Sequence, residues 1–293
     1  PDNDSKGATA PHSGDVEIPG LAKPLDLGDI LNPSAKANRS PLALGEPTAT
    51  RQPVQPLRPG QRPTAAQLLA ALQSSYRSAK TLETKGASSF KVEADGKVIQ
   101  QAGDIKFRVL FKRPNKFVYD SGDSKLSGDG KNVYRYSPEA RQYVKAKMSK
   151  DVFKGMVASQ MGVGVMGLIL GADYGPAFSS MKLLEDGKVN GKDTFVLSLT
   201  LKKGVACPPE ADVVQKLWIG KQDLAIYKNQ VLAKIKPKAI EGHKGKMPRL
   251  VKTTVTGIAT LFKHDHAIAD SAFAFKAPPG AKPYEKPKPL DLN

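Results

Sequence analysis

The stretch FKRPNKFVYDSGDSKLSGDGKNVYRYSPEARQYVKA, residues 111–146, combines three aspartates with several glycines and tyrosines. Asp120, Asp123 and Asp129 stand beside serine or glycine, which is typical of turns between strands. A calcium loop needs carboxylates at alternate positions and a closing glutamate, and no glutamate follows at that position. We therefore predict short strands joined by acidic turns, without a metal site.

Period-two patterns predict further strands at 104–111 and 193–201, and the threonines and valines of the less regular segment 250–262 also favour a strand. In the first of these segments, one face carries the apolar residues Ile105, Phe107, Val109 and Phe111. Segments with one apolar and one polar face are typical of an antiparallel sheet. Alternation does not tell which face of that sheet is turned inward.

Two segments have helical patterns. PTAAQLLAALQSSYRSAK (63–80) has apolar residues at helical spacing, and Thr64 and Gln67 stand at the spacing of a capping box. The helical pattern resumes between Lys150 and Met181, where residues 150–178 are rich in methionine, glycine and leucine, and methionine suits adaptable apolar surfaces. It is either a core helix with a glycine-bearing loop or a mobile apolar lid over a cavity.

Composition divides the chain into three parts. Residues 1–62 hold 10 of the 23 prolines, no aromatic residue, and seven basic against seven acidic side chains. Such a segment buries too little apolar surface to offset its ordering entropy, so we predict an extended arm. The folded domain is expected over 63–284, followed by a short tail at 285–293.

The sequence offers little for catalysis. Cys207 is the single cysteine, and no histidine stands near it. His264 and His266 flank Asp265 without a third identifiable metal ligand. GVGVMG (162–167) lacks the Lys-Ser/Thr ending of a phosphate-binding loop. We therefore expect no enzyme activity, no catalytic residues, no cofactor and no metal site.

The positive charge predicts an anionic partner. The net charge is +17, all of it outside residues 1–62, and the segment 221–249 holds eight Lys/Arg against two acidic residues. This segment is interpreted as a solvated basic loop. No recognisable nucleic-acid module is present, so an anionic membrane surface or an acidic protein is expected instead of nucleic acid.

The order of these motifs resembles the LolA-like outer-membrane lipoprotein carrier superfamily over about residues 63–284. The matching turns are Lys112-Arg113-Pro114-Asn115, Asp129-Gly130-Lys131 and Pro138-Glu139, and AFAFKAPPGAK (272–282) is similar to the last strand of the family. The resemblance implies an α+β fold: a curved antiparallel sheet that forms an unclosed β-barrel, with helices on its concave side.

The resemblance also implies a function. A carrier of this family holds lipoprotein acyl chains in the periplasm, so the ligand would be a lipid or an acylated protein. Arg113 matches a family arginine that holds a lid closed through hydrogen bonds to lid carbonyls. The alternative is that Arg113 is an ordinary residue of a turn. The residues expected to line the apolar site are Phe107, Val109, Phe111, Arg113, Met156, Met166, Leu168, Phe195 and Leu197. A periplasmic or cell-envelope location, after removal of a signal peptide, follows from the same resemblance.

The chain departs from the carrier pattern in its proline-rich arm and in the insertion at 234–249. A second function is therefore open: a structural or accessory subunit of an envelope complex, tethered by the arm, whose cavity is filled by its own side chains. KPLDL occurs at 23–27 and again at 288–292, by chance or as a segment that docks on a protein partner or on this domain.

Overall fold

The structure is a computed structural model that describes residues 61–122, 124–149, 164–205, 207–237 and 248–284. Several predictions lie outside these ranges: the arm up to residue 60, the tail, both KPLDL segments, Asp123, Met156 and most of the insertion at 234–249. Arg62, assigned to the arm, contacts the domain through an ion pair with Asp186 at 3.3 Å.

The first helix forms as the sequence predicts. Helix α1 spans Ala65–Ser78, and the Thr64 side chain accepts from the Gln67 amide while the Gln67 side chain accepts from the Thr64 amide. These two bonds satisfy amides that the first helical turn leaves free. The buried face of α1 consists of Leu68, Leu69, Ala71, Leu72 and Tyr76.

A second helix, α2, is only five residues long, Val165–Ile169. Short 3₁₀ turns follow at Gly175–Ala177 and Asp270–Phe273. Neither described α-helix combines the length and apolar character that crossing a bilayer would require. Of the segment predicted to be helical, the described part between Gly164 and Ala177 consists of α2 and one 3₁₀ turn.

The described residues form one sheet of twelve strands. The strands are β1 Thr81–Ala94, β2 Lys97–Lys112, β3 Lys116–Asp120, β4 Lys125–Asp129, β5 Asn132–Ser137, β6 Gln142–Lys147, β7 Phe178–Val189, β8 Lys192–Leu201, β9 Ala211–Gly220, β10 Ile226–Ile235, β11 Val251–His264 and β12 Lys282–Pro283. Their order in the sheet is β12-β6-β5-β4-β3-β2-β1-β11-β10-β9-β8-β7. Every pair is antiparallel except β12 with β6.

The core shows that the sheet is curved. Strands β5 and β8 are eight positions apart in the sheet order, about 38 Å in a flat sheet at the usual strand spacing. Yet Val133 of β5 and Leu197 of β8 belong to the same core cluster, together with Leu72 of α1 and Met166 of α2. The sheet therefore wraps around the two helices, and in the described residues no pairing joins its two ends. The predicted fold class is confirmed.

The aspartates of the opening stretch form turns. Asp129 Oδ1 accepts from the Lys131 and Asn132 amides, both at 2.7 Å. Asp120 accepts from the Gly122 amide at 3.1 Å. Because these carboxylates are engaged with backbone amides inside their own turns, the prediction of acidic turns is confirmed for both residues.

Two sequence interpretations are wrong in part. Residues from Phe178 onward belong to β7, although the sequence predicted helix as far as 181. Gly171 has a φ of +77° and Pro176 opens a 3₁₀ turn, so the helix ends before this strand begins. The basic segment 221–249 is not a loop throughout, because Ile226–Ile235 forms β10 between β9 and β11.

Candidate functional site

The apolar site belongs to the inner face of the sheet, defined here as the face that packs on α1 and α2. One row of directly paired residues crosses seven strands on this face. From β7 to β2 the row reads Leu183, Leu197, Leu217, Asn229, Gly257, Ser88 and Ile105. The row is leucine-lined beneath the helices and becomes small and polar at β10, β11 and β1.

Five of the predicted site residues lie in the packed core. Their exposed fractions do not exceed 4%, and they share one cluster with α1. They are Val109, Phe111, Met166, Leu168 and Leu197. The structure therefore brings these residues together, but it buries them against protein side chains.

Phe107 and Phe195 are placed differently. Both are half-buried, and Phe195 packs on the edge of the core with the Lys221 ammonium 5.2 Å from its ring centre. Phe107 lies over Gly86 and Gly257, where an added Cβ would be 2.7 Å and 3.9 Å from the Phe107 ring. The two glycines thus leave room for the Phe107 ring on the inner face.

An incompletely covered apolar area continues from Phe107 across the inner face. We call Phe90, Ile105, Phe107 and Val255 the inner strip. The first three are half-buried, and Val255 is 42% exposed. Phe90 and Val255 are directly paired across β1 and β11, so the strip is continuous over β2, β1 and β11.

A buried amide pair borders the inner strip. Gln215 of β9 has no exposed surface, and its Nε2 donates to Asn229 Oδ1 at 2.8 Å. Asn229 is half-buried and stands opposite Gly257. The Ser88 hydroxyl, also in this row, donates to the Ile105 carbonyl at 3.3 Å.

Three side chains hold α2 and the turn after it against α1. Arg113 Nη2 donates to the Ile169 carbonyl at 3.0 Å, and Gln73 Nε2 donates to the Ala172 carbonyl at 3.2 Å. Arg77 donates to the Gly171 carbonyl at 3.3 Å. These contacts supply donors to carbonyls at the end of a short helix, which lack partners within the helix.

Arg113 also contacts α1. Its Nε donates to the Ala79 carbonyl at 3.0 Å, and its guanidinium lies 5.5 Å from the centre of the Phe111 ring. Burial lowers the pKa of the Arg113 guanidinium, and the neighbouring positive charge of Arg77 lowers that pKa further. Arg113 thus links the end of β2, the end of α1 and α2 at one point.

Replacing Arg113 with leucine is expected to lower the free energy of unfolding by about 2 kcal/mol, since the carbonyls of Arg77, Ala79 and Ile169 lose a charged donor. Hydrogen exchange at the Leu170 and Ala172 amides should accelerate more than exchange in β9. Arg108→Leu is the matched control, because Arg108 forms an exposed ion pair with Glu83 and should cost less than about 1 kcal/mol. Equal exchange in both variants would show that Arg113 does not secure α2.

A depression of the described surface lies on the outer face. It has a volume of about 590 Å³ and follows the irregular pairing of β1 with β2. Its lining includes the polar and charged residues Lys91, Glu93, Lys252 and Thr254. Both lysines pair with Glu93 at 3.1 Å, so their charges are largely engaged.

Ionisable side chains are used structurally. His264 contacts Asp265 at 3.2 Å and His266 contacts Glu83 at 3.4 Å, so the two imidazoles have separate partners. Burial raises the pKa of the Cys207 thiol, which opposes the reactive thiolate. Within the ranges that the structure describes, no three His, Cys, Asp or Glu side chains form a metal-binding group.

Sequence reasoning missed Gln215 and Asn229, and it did not identify Phe90 or Val255. The alternation Ala211, Val213, Gln215, Leu217, Ile219 places Gln215 among apolar residues of one face. A glutamine within an otherwise apolar strand face is a signal for a buried polar contact. Its partner on β10 depends on the register between strands, which the pattern of one segment does not contain.

Comparisons with known proteins give distant similarity. No family model matches the chain. An uncharacterized protein of Methanocaldococcus jannaschii is 23% identical over 150 residues, which cover 48% of this chain and 41% of that protein. The chain thus spans about two fifths of the length of this curated relative.

Several solved structures are similar over most of this chain. The lipoprotein LppX of Mycobacterium tuberculosis has a TM-score of 0.36 and 9% identity, covering 70% of this chain and 97% of that one. An uncharacterized conserved protein of Thermus thermophilus has a TM-score of 0.38 and 11% identity, covering 76% and 99%. A protein of Nitrosomonas europaea has a TM-score of 0.30 and 13% identity, covering 73% and 99%. The last is described as a member of the LolA superfamily, the group that this sequence resembles.

Proposed function

We propose that this chain is a non-catalytic protein of the cell envelope that binds an acyl chain, from a lipid or an acylated protein, on the inner face of its sheet. The observation that carries the proposal is the inner strip. Phe90, Ile105, Phe107 and Val255 form a continuous apolar area that the described helices do not fully cover. Large exposed apolar areas on a protein surface are typical of binding sites.

The strip suits an extended chain better than a compact ligand. Its residues run across three neighbouring strands, about 10 Å at the usual strand spacing. Gly86 and Gly257 add no side chains to this part of the face. Apolar contact along such a surface depends on the length of the ligand, because each buried methylene contributes about 0.8 kcal/mol. Selection by chain length is therefore expected to exceed selection by head group.

A charge placed on the inner strip should weaken this binding. Val255→Asp is expected to weaken binding of a fluorescent fatty acid at least about tenfold, since a carboxylate would have to be desolvated against the chain. The control is Ile258→Asp, on the same strand but on the outer face, where Ile258 is 36% exposed against 42% for Val255. Fluorescence titration measures both, with the unfolding midpoint checked for each variant.

Ligand carried from the host provides a second readout. Native mass spectrometry of the full chain should show a bound mass that Val255→Asp loses and Ile258→Asp keeps. If the wild-type protein shows a clean unliganded mass and takes up no fluorescent fatty acid, the binding proposal is wrong. Equal reduction of uptake in Val255→Asp and Ile258→Asp would also contradict binding on the inner strip.

A second candidate function is that of an accessory subunit in an envelope complex, whose concave side is filled by its own side chains. The observation that favours it is the burial of Val109, Phe111, Met166, Leu168 and Leu197 in one packed cluster. In this case the full chain would remain unliganded, and it would be recovered with a stable protein partner instead. Cross-linking in the host envelope distinguishes the two candidates.

The proposal also covers the location of the protein and its partners. Contact with an anionic membrane surface fits the net charge of +17, which favours anionic partners. A periplasmic location after removal of a signal peptide is proposed from the sequence resemblance over residues 63–284. The arm at 1–62 and the KPLDL segments are proposed to contact a protein partner.

A further inference from the structure

We infer that Asn229 is the polar anchor of the inner strip, and that it selects apolar chains that carry a carbonyl or carboxyl oxygen. This inference rests on the proposed function, because it names the ligand class of the same site. It starts from the amide pair of Gln215 and Asn229, which no part of the apolar binding proposal uses.

Burial of the Gln215 side chain has a free-energy cost. This side chain has no exposed surface and lies on the leucine-lined side of the inner face. Burying an amide in apolar surroundings costs roughly 1–3 kcal/mol unless its hydrogen bonds are made. A leucine at this position would complete the apolar layer of Leu199 and Val231, its direct neighbours in the sheet. The hydrogen bond to Asn229 therefore offsets part of the cost of burying this amide.

Gln215 fixes the orientation of the Asn229 amide. Gln215 Nε2 donates to Asn229 Oδ1 at 2.8 Å, so the acceptor side of the Asn229 amide is occupied. An amide has two donors on its nitrogen and acceptor sites on its oxygen. No residue in the described ranges accepts from Asn229 Nδ2. The pair thus presents an oriented N–H donor, and a group fixed in this way loses little entropy on binding.

The Asn229 donor lies close to the inner strip. Asn229 is half-buried and stands directly opposite Gly257, which has no side chain. Gly257 is in turn opposite Ser88, and a Cβ at Gly257 would be 3.9 Å from the Phe107 ring. Asn229 therefore stands one glycine away from the inner strip. The neighbouring Ser88 hydroxyl is engaged with the Ile105 carbonyl, which leaves Asn229 as the donor of this row.

A single oriented donor at the border of an apolar surface recognises a chain with one hydrogen-bond acceptor. A carbonyl oxygen of an ester or amide, or the carboxylate of a free fatty acid, meets this requirement. An unsubstituted alkane does not. The ester and the free acid share this chemistry, and they are distinguished below by separate probes.

The test compares methyl laurate with pentadecane, which has the same number of non-hydrogen atoms and no acceptor. Both displace the neutral dye N-phenyl-1-naphthylamine from the full chain, and sodium laurate is the third probe. The readout is the ratio of ester to alkane affinity in each variant, because intrinsic hydrophobicity cancels in the comparison. A neutral hydrogen bond of ordinary strength corresponds to about a fivefold preference.

Asn229→Asp keeps the oxygen that accepts from Gln215 and replaces the donor with an acceptor. At pH 8 its ester-to-alkane ratio is expected to fall at least about fivefold, with pentadecane binding unchanged. The matched control is Gln230→Glu, which adds the same charge to the next residue of β10 on the outer face. Asn229→Leu is the second variant, in case the aspartate disturbs folding. It should lose the preference for methyl laurate over pentadecane, while its affinity for pentadecane is retained.

Each outcome is decisive. Loss of the ratio in both Asn229 variants but not in Gln230→Glu supports the anchor, and laurate binding then separates a free acid from an esterified chain as the ligand source. An unchanged ratio in folded Asn229 variants overturns the inference while leaving the binding proposal intact. If no probe displaces the dye and the dye itself does not bind, the proposed function fails first.

Discussion

Replacing Phe111 with alanine is expected to lower the free energy of unfolding by about 3–5 kcal/mol. Phe111 has no exposed surface and stands at the point where β2, α1 and α2 meet. The lost ring leaves a cavity lined by Phe117 and Leu82, its direct neighbours on β3 and β1. Urea unfolding followed by tryptophan fluorescence measures the change, since Trp218 lies elsewhere in the sheet.

The same substitution at Phe107 is the control. Phe107 is on the same strand and the same face, but it is half-buried on the inner strip. Phe107→Ala should lower the free energy of unfolding by about 1 kcal/mol, since the half-buried ring of Phe107 buries less apolar area than the ring of Phe111. Equal losses at the two positions would show that the core does not end between them, and the inner strip would then be part of the core.

Replacing Gly86 with alanine is expected to destabilise the chain by about 3 kcal/mol through overpacking. An added Cβ would be 2.0 Å from the Ile258 carbonyl oxygen and 2.9 Å from the Ala259 Cα. Both of these atoms belong to backbone, so β11 would have to move away at the bulge beside Gly86. The unfolding midpoint in urea measures the effect.

Gly257→Ala is the matched control for this prediction. Gly257 is on the neighbouring strand and inner face, and the nearest atom to its added Cβ is 3.9 Å away, an ordinary contact. Its substitution should be close to neutral for stability. If Gly86→Ala is tolerated as well as Gly257→Ala, the close approach of β1 to β11 at Ile258 is wrong.

Part of the fold could be predicted because its signals are local. The capping box of Thr64 and Gln67 fixes the start of α1, and alternation in β2 and β8 identifies their apolar faces. Strand β10 was missed, since lysines at 228 and 234 and Asn229 interrupt its apolar pattern. The start of β7 was assigned to helix because Phe178 and Met181 continue a methionine-rich apolar run.

The site was less accessible to sequence reasoning, and for a physical reason. Alternation separates two faces of a strand, but only packing on α1 decides which face is inward. The inner strip requires the pairing of Phe90 with Val255, residues far apart in the chain. The contact between Gln215 and Asn229 likewise requires the register of β9 against β10. Arg113 was identified by resemblance, and its bond to Ile169 follows from the end of β2 meeting α2.

The pairing of β1 with β11 also has a consequence for how the molecule is made. Strands β2–β6 connect to the rest of the antiparallel sheet only through β1, and strands β7–β10 only through β11. During synthesis β1 leaves the ribosome long before its partner β11, because strands β2–β10 lie between them in the chain. Until then both β1 and β10 present long unpaired edges, which are templates for aggregation. Contacts of such sequence separation also slow folding. The nascent chain is thus vulnerable to aggregation until residues 251–264 have left the ribosome.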